Sequence, residues 1–225
     1  MKPVRPVRPF RGKGAPEELG EGSKLPESLD RIPELGKAQR TRARLVAATG
    51  AEISEAGSFT AEKVAARAGT SVATFYSHLP TKDAALTAAF SDVMDELVTV
   101  VDEHLAVELL LDLGIERLCG EFVESCLEFF TRRSLVFRCA LARMSEHRPL
   151  REVYRAHEAE VHSRYSRFVA LGQAAGKIRG ANPETLTRAL LVASQGLNNP
   201  LALGLAEDDP LRDQLADGIR ALLSP

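Results

Sequence analysis

Residues 60–82 have the sequence TAEKVAARAGTSVATFYSHLPTK, which predicts two short helices joined by a tight turn. Thr60 and Ser71 each precede a helical pattern, where a hydroxyl oxygen can accept a hydrogen bond from a free backbone N–H of the first turn. Gly69 lies between the patterns, because glycine readily adopts the left-handed conformation that ends a helix. Pro80 ends the second helix, since proline disfavours helix at the preceding residue. The expected helices are Ala61–Ala68 and Val72–Leu79.

The second of these helices has an apolar face and a small, polar face. Phe75 and Leu79 are four residues apart and are expected to pack on Val64 and Ala65 of the preceding helix. Two short helices arranged in this way are typical of a helix-turn-helix, whose second helix enters the major groove of DNA. A helical hairpin without a DNA partner is the alternative on geometry alone.

The side chains on and around the outer face suit contacts with DNA. A small residue or a methyl group can contact thymine, and a hydroxyl can donate or accept a hydrogen bond at a base edge. Tyrosine, histidine and serine suit phosphate oxygens, and Lys82 lies in the first turn of the next helix, whose dipole also favours a phosphate. The candidate DNA-binding residues are Thr60, Ser71, Val72, Ala73, Thr74, Tyr76, Ser77, His78 and Lys82.

From Gly36 onward the chain is predicted to be almost wholly helical, so the expected fold class is all-α. Sustained two-residue alternation and Asn-Gly turns, which indicate strands and hairpins, do not occur. One central segment is apolar nearly all round, which is typical of a helix inside a bundle. The further expected helices are Lys37–Ala56, a long helix capped by Thr81, Leu113–Thr131, Leu135–Met144, Pro149–Ala175, one from Asn182 and Pro183 to Pro200, and one beginning at Asp209 and Pro210.

Charge is divided unevenly along the 225 residues, whose formal net charge is -2. Residues 1–82 contain 14 basic against 9 acidic residues, whereas residues 83–225 contain 15 against 22. This asymmetry indicates an anionic partner for the N-terminal part alone. Residues 1–36, rich in proline, glycine and charge, are predicted to form a disordered tail. Its basic residues suit either a solvated tail or an arm that follows DNA phosphates.

Cysteine usage and hydropathy favour a cytoplasmic protein. The three cysteines are an odd number without metal-ligand spacing, and they lie in apolar helical stretches. Cys119 and Cys126, seven residues apart, suit a thiol sensor or, more simply, inert core positions. The apolar runs are much shorter than the ~18–20 residues of a membrane span, and the N-terminus has no secretory apolar segment.

The stretch from Arg42 to Leu86 resembles the DNA-binding domain of the tetracycline-repressor (TetR) family of bacterial transcription regulators. An alanine-rich helix is followed by a glycine, an aromatic residue and a capping threonine, and then by V-A-A-R-A-G at Val64–Gly69. The family usually has valine and phenylalanine where this chain has Thr70 and Leu79. Leu79 still fits the family pattern, which is aromatic or apolar at that position, and the other matching positions are Gly57, Phe59, Thr60, Ser71, Thr74, Phe75, Tyr76, Ser77, His78, Lys82 and Asp83.

The resemblance implies a DNA-binding transcription regulator, usually a repressor, that binds a palindromic operator as a homodimer. Tyr76, His78 and Lys82 would hold phosphates, and Val72, Ala73 and Thr74 would lie nearest the bases. The implied architecture is a three-helix helix-turn-helix domain on a larger helical domain for ligand binding and dimerisation. The corresponding ranges are 1–36 for the tail, 37–82 for the DNA-binding domain and 83–225 for the larger domain.

The resemblance also implies a small-molecule effector inside the larger domain and a dimer interface on its last two helices. The aromatic and sulfur-containing side chains of the central helices favour an apolar or aromatic effector. Packing within one protomer is the alternative for both sets of residues. The candidate pocket residues are Phe122, Cys126, Phe129, Phe137, Leu141, Met144, Tyr165 and Phe168. The candidate interface residues are Leu190, Leu191, Ser194, Leu197, Leu215, Ile219 and Leu222.

Two other functions stay open from the sequence. The first is a constitutive DNA-binding protein without a ligand. The second is an enzyme, but His157 and His162 are five residues apart and do not share a helix face as metal-binding histidines four apart do. Because no catalytic Ser-His-Asp set or phosphate-binding glycine loop occurs either, we expect no enzymatic activity, no cofactor and no metal site.

Overall fold

The chain from residue 36 to residue 225 is described by a computed structural model, so the predicted tail, apart from Gly36, lies outside the described residues. These residues form eight α-helices and no strand, which confirms the predicted all-α class. The helices are α1 (Lys37–Ala56), α2 (Ala61–Arg67), α3 (Val72–His78), α4 (Lys82–His104), α5 (Val107–Met144), α6 (Arg148–Ala174), α7 (Pro183–Gly196) and α8 (Pro210–Leu223).

Local capping sets the boundaries of the first four helices. The hydroxyls of Thr60, Ser71 and Thr81 accept hydrogen bonds from the backbone N–H three residues later, at 3.3, 3.1 and 2.9 Å. Gly57 and Gly69 have φ values of +67° and +64°, the left-handed conformation that glycine adopts without a steric penalty. The predicted caps are therefore confirmed, and α1 has the predicted bounds.

The apolar side chains form two clusters. The smaller one joins α1, α2 and α3, and Phe75 and Leu79 of α3 lie in it beside Val64 of α2. The larger one fills the space between α4, α5, α6, α7 and α8. Because α4 contributes Ala85 and Ala89 to the smaller cluster and most of its later apolar residues to the larger one, this helix connects the two.

The α5 helix corrects the prediction of two helices at Leu113–Thr131 and Leu135–Met144. It runs from Val107 to Met144 with a kink at Gly114 (φ 78°, ψ 164°), and residues 115–144 after the kink are continuously helical. Residues 132–134, between the two predicted helices, are helical, and no glycine or proline interrupts residues 121–144. Two of them, Arg132 and Arg133, form ion pairs with Glu96 of α4 at 3.2 and 2.8 Å, so this turn is attached to a neighbouring helix.

Candidate nucleic-acid interface and internal pocket

The α3 helix is anchored by one face and leaves the other face free. Phe75 is fully buried and Leu79 is 1% exposed, as their spacing predicts. Tyr76 is 44% exposed although its ring packs edge-on against Phe75, with the ring centroids 5.1 Å apart. The other candidate DNA-binding residues are exposed (Thr60, Ser71, Ala73, Ser77 and Lys82) or partly exposed (Val72, Thr74 and His78).

Hydroxyl groups at the start of α3 are already engaged within the helix. The Oγ of Ser71 lies 2.9 Å from the Oγ1 of Thr74, and the hydroxyl of Ser77 donates to the Thr74 carbonyl at 2.8 Å. This local bonding reduces the hydrogen-bonding capacity that α3 presents outward. The exposed side therefore offers mainly the Ala73 methyl, the Thr74 side chain and the Tyr76 phenol.

An ion-pair network fixes α2 to α1. The Nε of Arg67 bonds to Glu52 at 2.7 Å, and its Nη1 and Nη2 bond to the two oxygens of Glu55 at 2.8 and 2.5 Å. The hydrogen bond from Arg67 lowers the pKa of Glu55 below its ordinary value. The side chain of Glu52 is only 10% exposed, so Arg67 neutralises a carboxylate that has little access to water.

The start of α1 adds a basic surface that the sequence analysis did not assign to DNA. Its first eight residues include Lys37, Arg40, Arg42 and Arg44, and the first acidic residue of α1 is Glu52. The signal was present in the sequence, since four cations within about two helical turns suit a phosphate backbone.

A cavity of about 170 Å³ lies between α4, α5, α6 and α7. Each helix contributes residues three, four or seven positions apart, the spacing that places side chains on one helix face. On α6 these residues include an aromatic ring and a carboxylate that the sequence analysis did not select. The lining residues are Met94, Leu97 and Val101 of α4; Cys126, Phe130, Phe137 and Leu141 of α5; Tyr154, Glu158, Val161 and Tyr165 of α6; Leu191, Ser194 and Gln195 of α7; and Asn198 just after α7.

The predicted pocket residues divide into two groups. Cys126, Phe137, Leu141 and Tyr165 line the cavity. The other four do not. Phe122 and Phe129 are fully buried in the core, Phe168 is 2% exposed, and Met144 packs against the same core. Helical periodicity predicts which side chains face the interior of the bundle. It does not predict which of these side chains line a cavity.

The cavity has a buried depth and a mouth at which both apolar and polar side chains are exposed. Cys126 and Tyr165 are 1% and 2% exposed, whereas Leu141 is 50% exposed and Gln195 is also exposed. Burial raises the pKa of the Cys126 thiol to about 12, so this thiol stays protonated and unreactive at neutral pH. Burial likewise raises the pKa of Cys119 to about 12, which favours the inert alternative for both cysteines.

The C-terminal part of α5 connects the cavity wall to the helix-turn-helix. The thiol of Cys139 donates to the carbonyl of Gly57, with 3.1 Å between the sulfur and the oxygen. Arg143 forms an ion pair with Asp83 at 3.2 Å, and His147, just beyond α5, lies 3.2 Å from the hydroxyl of Thr87. These three contacts, which we call the α5 clamp, alternate along the chain with the cavity residues Phe137 and Leu141.

The predicted interface residues lie mostly inside the protomer. Leu190 is fully buried, and Leu197, Ile219 and Ser194 are 1%, 3% and 5% exposed. These four side chains therefore pack within one protomer and offer little surface to a partner. Leu191, Leu215 and Leu222 are partly buried against the same core. The large exposed apolar side chains on and between α7 and α8 are Val192, Leu201 and Leu211.

The histidines considered for catalysis connect helices instead of forming a cluster. The Nε2 of His157 lies 2.8 Å from Asp95 of α4, and His162 lies 3.5 Å from Glu184 of α7. Within residues 36–225, no group of three histidine, cysteine or acidic side chains is arranged to hold a metal ion. In the same range, no helix combines the length and the apolar character required to cross a bilayer.

Solved structures with the same fold include transcription regulators. A TetR transcription regulator from Haloarcula marismortui aligns with a TM-score of 0.67 at 18% identity, covering 82% of this chain and 98% of that one. A transcriptional regulator from Rhodococcus sp. Rha1 aligns with a TM-score of 0.61 at 20% identity, over 81% and 95% of the two chains. The SmeT–triclosan complex aligns with a TM-score of 0.62 at 22% identity, over 83% and 93%. No protein-family model and no curated protein matches the sequence.

Proposed function

We propose that this chain, which has the fold of TetR-family transcriptional regulators, is itself a DNA-binding transcription regulator and not an enzyme. The observation that carries the proposal is the geometry of α3, a seven-residue helix anchored by Phe75 and Leu79 with its other face exposed. Exposed Tyr76 and Lys82 stand beside this face and suit phosphate oxygens on either side of a groove. Such a protein acts where the chromosome is, which in a bacterium is the cytoplasm.

Replacing Tyr76 or Lys82 by alanine tests this proposal. Each change removes a phosphate contact, so we expect about tenfold weaker binding to every sequence, and Lys82→Ala should reduce the slope of log K against log salt by about 0.9. Binding is measured by gel shift on sites selected from random DNA. Lys177→Ala, which removes an exposed lysine of the larger domain, should leave affinity unchanged. Wild-type affinity in both test variants would contradict the proposed docking.

We further propose that the regulator is a homodimer whose partner surface lies on α7 and α8. One short helix contacts few base pairs, and a two-fold axis places two recognition helices about 34–36 Å apart on a palindrome. The exposed side chains of Val192, Leu201 and Leu211 support this surface, because they are 67%, 80% and 38% exposed within one protomer.

Val192→Glu tests the interface. A carboxylate in the centre of an apolar contact would have to lose its hydration without a partner, so we expect the dimer to dissociate at micromolar concentration. Light scattering measures the mass. Leu111→Glu changes a comparably exposed residue at the start of α5 and should leave the dimer intact. A wild type that is monomeric at working concentrations would contradict the proposal.

We propose in addition that an effector in the internal cavity relieves repression. The α5 clamp supports this coupling, because Phe137 and Leu141 line the cavity while Cys139 and Arg143 of the same helical segment hold Gly57 and Asp83. An effector changes DNA affinity only if it binds the two conformations unequally. A constitutive regulator without a ligand is the alternative, and the cavity favours the ligand-responsive form.

A further inference from the structure

The cavity contains a single formal charge. Its lining includes the carboxylate of Glu158 and no lysine, arginine or histidine. The histidines nearest to Glu158 in sequence are occupied elsewhere, since His157 contacts Asp95 and His162 contacts Glu184. Among the described residues Glu158 has no ion-pair partner, so a carboxylate without a counter-charge stands at the wall of an apolar cavity.

One part of the cavity wall is apolar, and another part carries the charge of Glu158. Glu158 and Tyr154 are partly exposed and Gln195 is exposed, whereas Cys126, Phe130, Phe137 and Tyr165 are buried. Burial, and then the charge of Glu158, raises the pKa of Tyr154, so its hydroxyl stays protonated beside the carboxylate. A ligand that fits this arrangement has an apolar body and one charged group.

The volume of the cavity limits the size of the apolar part of such a ligand. An engineered protein cavity of about 150 Å³ accommodates one benzene ring. The cavity of about 170 Å³ therefore has room for one aromatic ring or a compact aliphatic group in its depth.

We propose that the effector is a small lipophilic cation, with its apolar group among the buried rings and its ammonium or similar cationic group at Glu158. This inference rests on the proposed effector role of the cavity. A cation gains attraction from the carboxylate in a site of reduced dielectric and from the faces of aromatic rings. A carboxylate or phosphate ligand would be repelled by Glu158 and would find no basic partner in the lining.

The test compares two probes of equal shape and different charge. Benzyltrimethylammonium is a cation, and neopentylbenzene is its neutral carbon analogue. Equilibrium dialysis against the full-length protein should show that the cation binds at least about tenfold more tightly than the neutral analogue, a difference of ~1.4 kcal/mol. Equal affinity of the two probes, or tighter binding of the anion phenylacetate, would overturn the proposal.

Two variants that each remove one carboxylate charge test whether Glu158 causes the preference for the cation. Glu158→Gln should weaken the binding of the cation about tenfold and change that of neopentylbenzene less than twofold. Glu152→Gln removes a carboxylate from the same helix outside the cavity and should change neither. Equal effects of the two variants would overturn the assignment. Circular dichroism melting of each variant establishes that the fold is retained.

A gel shift with each probe distinguishes this inference from the proposed function. A preference for the cation without release of DNA supports the site and contradicts the effector role. Equal binding and equal release of DNA by both probes supports the effector role and overturns the cationic class.

Discussion

Replacing Phe75 by alanine is expected to lower the free energy of unfolding by about 3–5 kcal/mol and to abolish DNA binding. Phe75 is fully buried, and with Leu79 it attaches α3 to the smaller apolar cluster. A helix of seven residues is too short to be stable alone, so it depends on these two anchors. Loss of the larger anchor should release the recognition helix.

Urea unfolding followed by circular dichroism measures the stability, and hydrogen exchange of the amides in α3 locates the loss. Phe75→Leu is the matched variant, because leucine keeps most of the buried volume. It should cost about 1–1.5 kcal/mol and retain DNA binding. Undiminished DNA binding by Phe75→Ala would mean that α3 does not need this anchor.

Removing the guanidinium in Arg67→Ala is expected to destabilise the helix-turn-helix by about 2–3 kcal/mol at neutral pH. The change leaves Glu52, whose side chain is 10% exposed, without a counter-charge. The part due to Glu55 is smaller, since that side chain is 57% exposed and stays hydrated. Thermal unfolding of the variant and the wild type measures the difference.

The pH dependence of this difference has a definite sign. Arg67 lowers the pKa of Glu55 in the folded state from its ordinary 4.5, so the folded state binds fewer protons than the unfolded state. The stabilisation by ionised Glu55 is complete above pH 4.5. It is lost as the pH falls through the lower pKa that Glu55 has in the folded state. The difference in the free energy of unfolding between the wild type and Arg67→Ala should therefore become smaller at acidic pH. Adding Glu52→Gln to Arg67→Ala should restore part of the stability, and a further loss would contradict the ion-pair explanation.

The helix-turn-helix could be predicted from sequence because its determinants are local. Thr60, Ser71 and Thr81 cap helices through hydrogen bonds that span three residues, and Gly57 and Gly69 end helices by their own conformational freedom. The anchoring of α3 follows equally from the four-residue spacing of Phe75 and Leu79.

The helices from α4 to α8 depend on contacts between distant residues, and for them the sequence is less informative. The continuity of α5 involves ion pairs from Arg132 and Arg133 to Glu96. An apolar stripe on a helix has the same pattern whether it faces the core, a cavity or a partner, so the pattern alone does not distinguish these positions for Leu190 and Leu197. The sequence of α6 contained a usable signal for the cavity, because an otherwise apolar stripe of this helix includes a carboxylate. The stripe consists of Tyr154, Glu158, Val161 and Tyr165.

The residues that would select a ligand and those that would select an operator form two separate sets. No cavity residue belongs to α1, α2 or α3, and the α5 clamp connects the sets through Gly57, Asp83 and Thr87. In the proposed regulator, mutations that alter the chemistry of the cavity can therefore accumulate while operator choice is unchanged, and the converse also holds. A chain divided in this way can acquire a new inducer without acquiring new target genes.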